Sequence, residues 1–171
     1  MAKEGLASLD TNDVFPKLDF ELVSGETLSI PEGLGEDYGI LMFYRGSWWP
    51  LCIQQLADFQ KWSRKFEEED ARIMAGSIDS IEKTKETVEK LGITYPVAYS
   101  LSAVEISRIT GAYYDRDNQS LCPTGFLLRP DKTIDVACYS SGPVGRFVAK
   151  DLLGLIKFYR MQKKEPEPLN L

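Results

Sequence analysis

Apolar and polar residues alternate at Leu18, Phe20 and Leu22, and after Gly25 the alternation resumes at Leu28 and Ile30. A period of two with a glycine between the runs predicts a hairpin with one buried face. Gly39-Ile-Leu-Met-Phe-Tyr44 is apolar throughout, the pattern of a central strand covered on both sides. The period then changes. Ile53, Leu56, Phe59, Trp62 and Phe66 recur every three or four residues and predict one helix with a single apolar face, opened by Pro50 in its first turn.

Residues 73–78 form a second buried strand in this reading. Ser80 caps a helix with Ile81, Thr84, Val88 and Leu91 inward and Gly92 past its end. Residues 95–99 are short and extended, and residues 102–109 make a helix stopped by Gly111. Residues 126–128 and 133–139 read as two strands joined by an Arg-Pro-Asp-Lys turn. A last helix spans about 148–161 with Leu152, Leu153, Ile156 and Tyr159 inward. Strand–helix alternation, then two adjacent strands and a helix, predicts an α/β fold. Its central mixed sheet is flanked by helices on both faces, with the hairpin at its N-terminus. The 171 residues are expected to make one domain, with loosely ordered tails at 1–13 and 162–171.

Composition narrows the chemistry. The charge of −6 and a pI near 4.8 argue against nucleic acid or an anionic membrane as partner. No apolar run approaches the roughly 18 residues of a membrane span, and residues 1–11 carry no secretory h-region, so a cytoplasmic location is expected. With no histidine in the chain, Ser-His-Asp and Cys-His catalysis and histidine metal sites are excluded. Cys52, Cys122 and Cys138 are too few and too scattered for a disulfide framework or a zinc site, and neither metal nor cofactor is expected.

Three segments could carry chemistry. Cys52 comes after the turn Tyr44-Arg-Gly-Ser-Trp-Trp-Pro-Leu and falls in the first turn of the first helix. There the helix dipole and unpaired backbone N–H groups favour a thiolate, and Arg45 would add to this if its side chain turned the same way. The competing reading is a small buried core residue. Ser120-Leu-Cys-Pro-Thr-Gly-Phe126 is either an ordinary loop or a cis-proline turn beside a site. Cys138, on an alternating strand, reads as core, and Arg146, in a Gly-Pro-Val-Gly loop, as either an anion-binding residue or solvated surface. Trp48 and Trp49 together are costly to expose, so one is expected in the core and the other along a pocket or contact surface.

These residues resemble the peroxiredoxin branch of the thioredoxin superfamily, the AhpC/TSA group. The resemblance runs from about residue 14 to 158. It rests on the opening segment from Phe15 to Leu22, on Phe43-Tyr44 through Cys52, on Ser77-Ile-Asp-Ser80, and on Gly145-Arg146 before the last helix. Within the group it is nearest to proteins with Tyr-Arg-Gly-x-Trp-Cys-Pro-x-Cys, with Trp49 at the place of the first cysteine and Cys52 at the second. The resemblance implies a thioredoxin-like fold, with Cys52 as the peroxidatic thiol. It also implies a cis Cys122–Pro123 bond beside the site, with Cys122 a possible resolving thiol. Trp49, Pro123, Thr124 and Arg146 would line the substrate, and Arg45 would assist catalysis. Three positions depart from the group's pattern: Arg45 replaces a proline, Trp49 a threonine and Pro123 an arginine.

The residues leave two functions open. One is a thiol oxidoreductase that reduces peroxides or disulfides through Cys52, with an external thioredoxin- or glutathione-type thiol as reductant and a homodimer paired through the active-site side. The other is a thioredoxin-fold binding or regulatory module without turnover, its old site filled or capped by Trp49.

Overall fold

The computed structural model describes residues 2–4 and 8–163. Strands β1 (Leu18–Glu21) and β2 (Thr27–Ile30) form the expected antiparallel hairpin, with Gly25 in its turn at φ 90°. The main sheet is built from β3 (Gly39–Phe43), β4 (Arg72–Gly76), β5 (Val97–Ala98), β8 (Thr124–Leu128) and β9 (Ile134–Tyr139). Their order across it is β5-β4-β3-β8-β9. β4 lies parallel to both β3 and β5, whereas β8 is antiparallel to both β3 and β9. The sheet is therefore mixed, as the element order predicts.

The continuous apolar run of β3 is explained by two cores. Ile40, Met42 and Tyr44 point to one face, and Leu41 and Phe43 to the other. The first face is covered by α1 (Pro50–Lys61), α2 (Ser63–Glu68), α3 (Ile81–Leu91) and α5 (Ala149–Lys163). The second face is covered by the β1–β2 hairpin, by α4 (Ala103–Thr110), and by a small hairpin, β6 (Tyr114–Asp115) and β7 (Ser120–Leu121). Ser80 and Ser102 accept backbone N–H bonds as N-caps of α3 and α4, and Gly92 and Gly111 end them in the left-handed region.

Two expectations are corrected. The first long helix breaks at Trp62 (φ −97°, ψ 3°), which turns α2 so that Phe66 stacks on Phe59 with ring centroids 5.6 Å apart. The Cys122–Pro123 bond is trans; the cis bond among the described residues is Ile30–Pro31. Pro123 continues the β8–β9 ladder, accepting the Ser140 N–H at 3.1 Å, and the chain runs from β7 to β8 with only two residues between. No turn is made there for a cis bond to hold. In the described part of the N-terminal leader, Ala2 bridges Tyr114, and the Leu9 and Asn12 N–H groups donate to Thr110 and Ile134. Residues 1, 5–7 and 164–171 of the expected tails lie outside the described residues.

Gly125 faces the ring of Phe147, and a Cβ added there would lie 2.4 Å from a ring carbon. Gly125→Ala must therefore displace the residue directly after Arg146. Overpacking of this kind costs about 1–3 kcal/mol, an expectation read as a lowered midpoint in urea unfolding with unchanged slope.

Candidate active site

Trp49 takes extended backbone (φ −99°, ψ 113°) as N-cap of α1, with Pro50 next. Proline is tolerated there because the first helical N–H groups have no acceptor within the helix. Cys52 is thereby third in the helix, and its own N–H donates to the Trp49 carbonyl at 3.0 Å. The side chain has no exposed surface. Two donors converge on its sulfur: the Arg45 backbone N–H at 3.3 Å and Arg146 Nη1 at 3.2 Å.

Arg146 is the residue that sequence reasoning left open, and it stands on the thiol. It comes from the loop between β9 and α5 and is held by its other nitrogens, Nε to the Val144 carbonyl (3.0 Å) and Nη2 to the Pro143 carbonyl (2.6 Å). Trp49 Nε1 donates to the same Pro143 oxygen at 2.9 Å. Helix α1 anchors the chain just beyond Arg146: Gln55 Nε2 donates to the Phe147 carbonyl at 3.1 Å, and Asp58 Oδ2 accepts the Ala149 N–H at 3.3 Å. Pro123, where the resemblance expects an arginine, has no side-chain charge to offer. A guanidinium reaches the sulfur from Arg146 instead.

Arg45 behaves differently from the expectation. Its hydrogen bond to Cys52 comes from the backbone N–H. Its guanidinium lies under both indoles, 5.1 Å from the Trp48 ring centre and 5.2 Å from that of Trp49, and its Nη2 is 3.7 Å from Asp115 Oδ2. Gly46 allows this turn, since a Cβ there would lie 2.4 Å from Trp48 Nε1. The buried Asp79 holds the turn by accepting the Ser47 N–H at 2.7 Å. Sequence reading noted Asp79 only within its Ser-x-Asp-Ser segment and assigned it no role. A carboxylate just past a buried strand end was the available signal.

The remaining expected residues sit on the neighbouring strands. Thr124 turns its hydroxyl to the Cys122 carbonyl at 3.0 Å and pairs with Phe43 and Tyr139 in the sheet. Cys122 is buried, and burial pushes its thiol pKa up against the opposing pull of the Arg45 guanidinium. Cys52 and Cys138 are free thiols. Cys138 is half-buried against the first core, and burial raises its pKa too. Tyr44, next to the turn, has its pKa pushed up to about 12 by burial and keeps its proton at any physiological pH.

The site thus presents a buried sulfur with one backbone and one guanidinium donor, suited to hold negative charge on sulfur and on an oxygen brought beside it. The sequence pattern of the AhpC/TSA family matches residues 11–137. A 1-Cys peroxiredoxin of Hordeum vulgare is 23% identical over 151 residues, covering 82% of this chain and 69% of that protein. One from Dictyostelium discoideum is 23% identical over 145 residues, covering 81% of this chain and 59% of the other. Among solved structures, a peroxiredoxin 6 of Arenicola marina superposes with a TM-score of 0.78 at 19% identity, over 96% of this chain and 80% of its own. The AhpC of Mycobacterium tuberculosis gives 0.73 at 21%, over 90% and 99%.

Proposed function

The chain belongs to the AhpC/TSA family, with a peroxiredoxin-like thioredoxin fold, and on that premise we propose that it is a thiol oxidoreductase working through Cys52. The observation that carries this is the pair of donors on one sulfur, Arg146 Nη1 at 3.2 Å and the Arg45 N–H at 3.3 Å, at a helix start.

In the reaction, the Cys52 thiolate attacks the terminal oxygen of a hydroperoxide. The S–O bond forms as the O–O bond breaks, the leaving alkoxide takes a proton to become an alcohol, and the sulfur is left as a sulfenic acid. Arg146 holds the thiolate and the oxygen on which charge develops. An external thiol then condenses with the sulfenic acid, releasing water and forming a mixed disulfide, and a second thiol reduces that disulfide. The single-cysteine relatives favour an external thiol over Cys122 for this step. Support for a small-thiol or thioredoxin-type reductant comes from the yeast mitochondrial 1-Cys peroxiredoxin, a structural neighbour whose thiol is resolved through glutathione and thioredoxin systems. Cytoplasmic location and a homodimer paired near Trp48 belong to the same reading. No helix among the described residues is long and apolar enough to cross a membrane.

A module without turnover would leave the two donors on Cys52 without a task, so the oxidoreductase is preferred. Purified Cys52→Ser is expected to consume peroxide at the uncatalysed background rate while Cys122→Ser keeps the activity. Wild-type consumption surviving in Cys52→Ser would overturn the assignment. Intact mass after one equivalent of peroxide checks the intermediate, since a Cys52–Cys122 disulfide would appear as a loss of two hydrogens rather than a gain of one oxygen.

A further inference from the structure

Arg45 is the most costly side chain in the site as it stands. Its guanidinium is a cation, yet the side chain is only 6% exposed. Nε and Nη1 are both buried with no hydrogen-bond partner among the described residues. Its ionic neighbour, Asp115, stands off at 3.7 Å from Nη2, outside hydrogen-bond length. That carboxylate is already engaged in its own turn, accepting Asn118 Nδ2 at 2.8 Å and the Asp117 N–H at 3.0 Å. Two desolvated nitrogens of a cation, each an unpartnered donor, call for an anionic acceptor. Of the two indoles over the guanidinium, Trp48 is half exposed, is seated on Gly46 and lies at the protein surface.

We propose that Arg45, under Trp48, is a binding subsite for a carboxylate carried by the molecule that meets Cys52. The side edge of a guanidinium, Nε with Nη2, matches the two oxygens of a carboxylate; here Nε has no partner and Nη2 has only the Asp115 oxygen at 3.7 Å. The distance is suitable as well. Because the Arg45 backbone nitrogen lies 3.3 Å from the sulfur, its guanidinium carbon is no more than about 10 Å from it by covalent geometry. A ligand with its carboxylate at Arg45 can therefore present a reacting group to Cys52 across a chain of a few carbons. Trp48 must swing aside for entry, and its half-exposed indole then flanks the ligand with apolar surface. Two kinds of molecule carry such a carboxylate, an organic hydroperoxide acid and a small acidic thiol.

The inference rests on the oxidoreductase reading, and its test separates the two. Wild-type kcat/KM is measured for a 5-hydroperoxy fatty acid and its methyl ester, and, for the reductant, with glutathione and its diethyl ester. The expected result is a preference of about tenfold for the acid in one pair, which identifies the source. The preference falls to near unity in Arg45→Met and is partly kept in Arg45→Lys. Equal rates for acid and ester in both pairs in wild-type protein would overturn the subsite, whatever the variants do. Tryptophan fluorescence titrated with the 5-hydroxy acid and its methyl ester gives a readout independent of turnover, with Trp48 and Trp49 as reporters. Tighter acid binding in a protein that consumes no hydroperoxide would keep the subsite and remove the peroxidase reading. Equal binding of acid and ester here, with equal rates in the glutathione pair, would remove the subsite.

Discussion

Arg146→Met should slow the reaction of Cys52 with peroxide by about 100-fold, the usual effect of removing one positioned donor from a developing anion. The substitution takes away the 3.2 Å bond to the sulfur and leaves the Arg45 N–H as the remaining donor of the pair. Methionine keeps much of the apolar stem, so packing changes little. Single-turnover oxidation measured by mass spectrometry checks the rate, with iodoacetamide labelling as the control for thiolate reactivity. Both should fall, and Arg146→Lys should recover part of each. An ammonium supplies charge without the fork that lets Nε and Nη2 hold Val144 and Pro143 at the same time. Unchanged oxidation in Arg146→Met would mean that the guanidinium is a structural clip for its loop and not part of the chemistry.

The largest effect on stability is expected at Phe59. It has no exposed surface, lies on α1 in the first core, and stacks on Phe66. Phe59→Ala removes a buried ring and leaves a cavity, a change that costs about 3–5 kcal/mol. Against a total stability of about 5–15 kcal/mol, that is a large share, and for a chain of this size it corresponds to a fall in Tm of roughly 10 °C. Thermal unfolding by circular dichroism reads it directly. The site depends on the same helix, since Cys52, Gln55 and Asp58 lie on α1 and tie it to the sulfur's surroundings. A loss below about 1 kcal/mol, far under this range, would show that α2 collapses into the space and that the stacked pair is not what fixes α1.

The main elements were legible because each buries a face at its own period. Alternation at 18–22 and 28–30 marked the hairpin, and the three- and four-residue steps marked α1, α3, α4 and α5. Capping chemistry placed the ends of α3 and α4 to within a residue. The β6–β7 hairpin went unseen because two-residue strands show no period. The break at Trp62 was hidden for a different reason: Phe66 keeps the helical spacing on either side of the break. Cys52 was found from its position after a strand and a Trp-Pro turn. The role of Arg146 was not, because its reach to the sulfur depends on how a loop is folded back. Neither of the two contacts that fold it, the Pro143 carbonyl and the Phe147 ring against Gly125, leaves a pattern in the sequence. The cis bond expected at Pro123 came from likeness to a turn that this chain replaces with straight strand.

The shared Pro143 carbonyl has a consequence for how the thiol's surroundings come into being. It joins Trp49 to a residue 94 positions away, and the Arg146–Cys52 bond spans an equal separation. Closing loops of that length is a late event in folding, since the entropy of closure must be met before the contact returns anything. A nascent or locally opened chain can hold β3, α1 and Cys52 in place and still lack the donor on the sulfur. The thiol's environment therefore reports on more than α1: opening of the loop that carries Pro143 and Arg146 removes the guanidinium donor while leaving Cys52 on its helix.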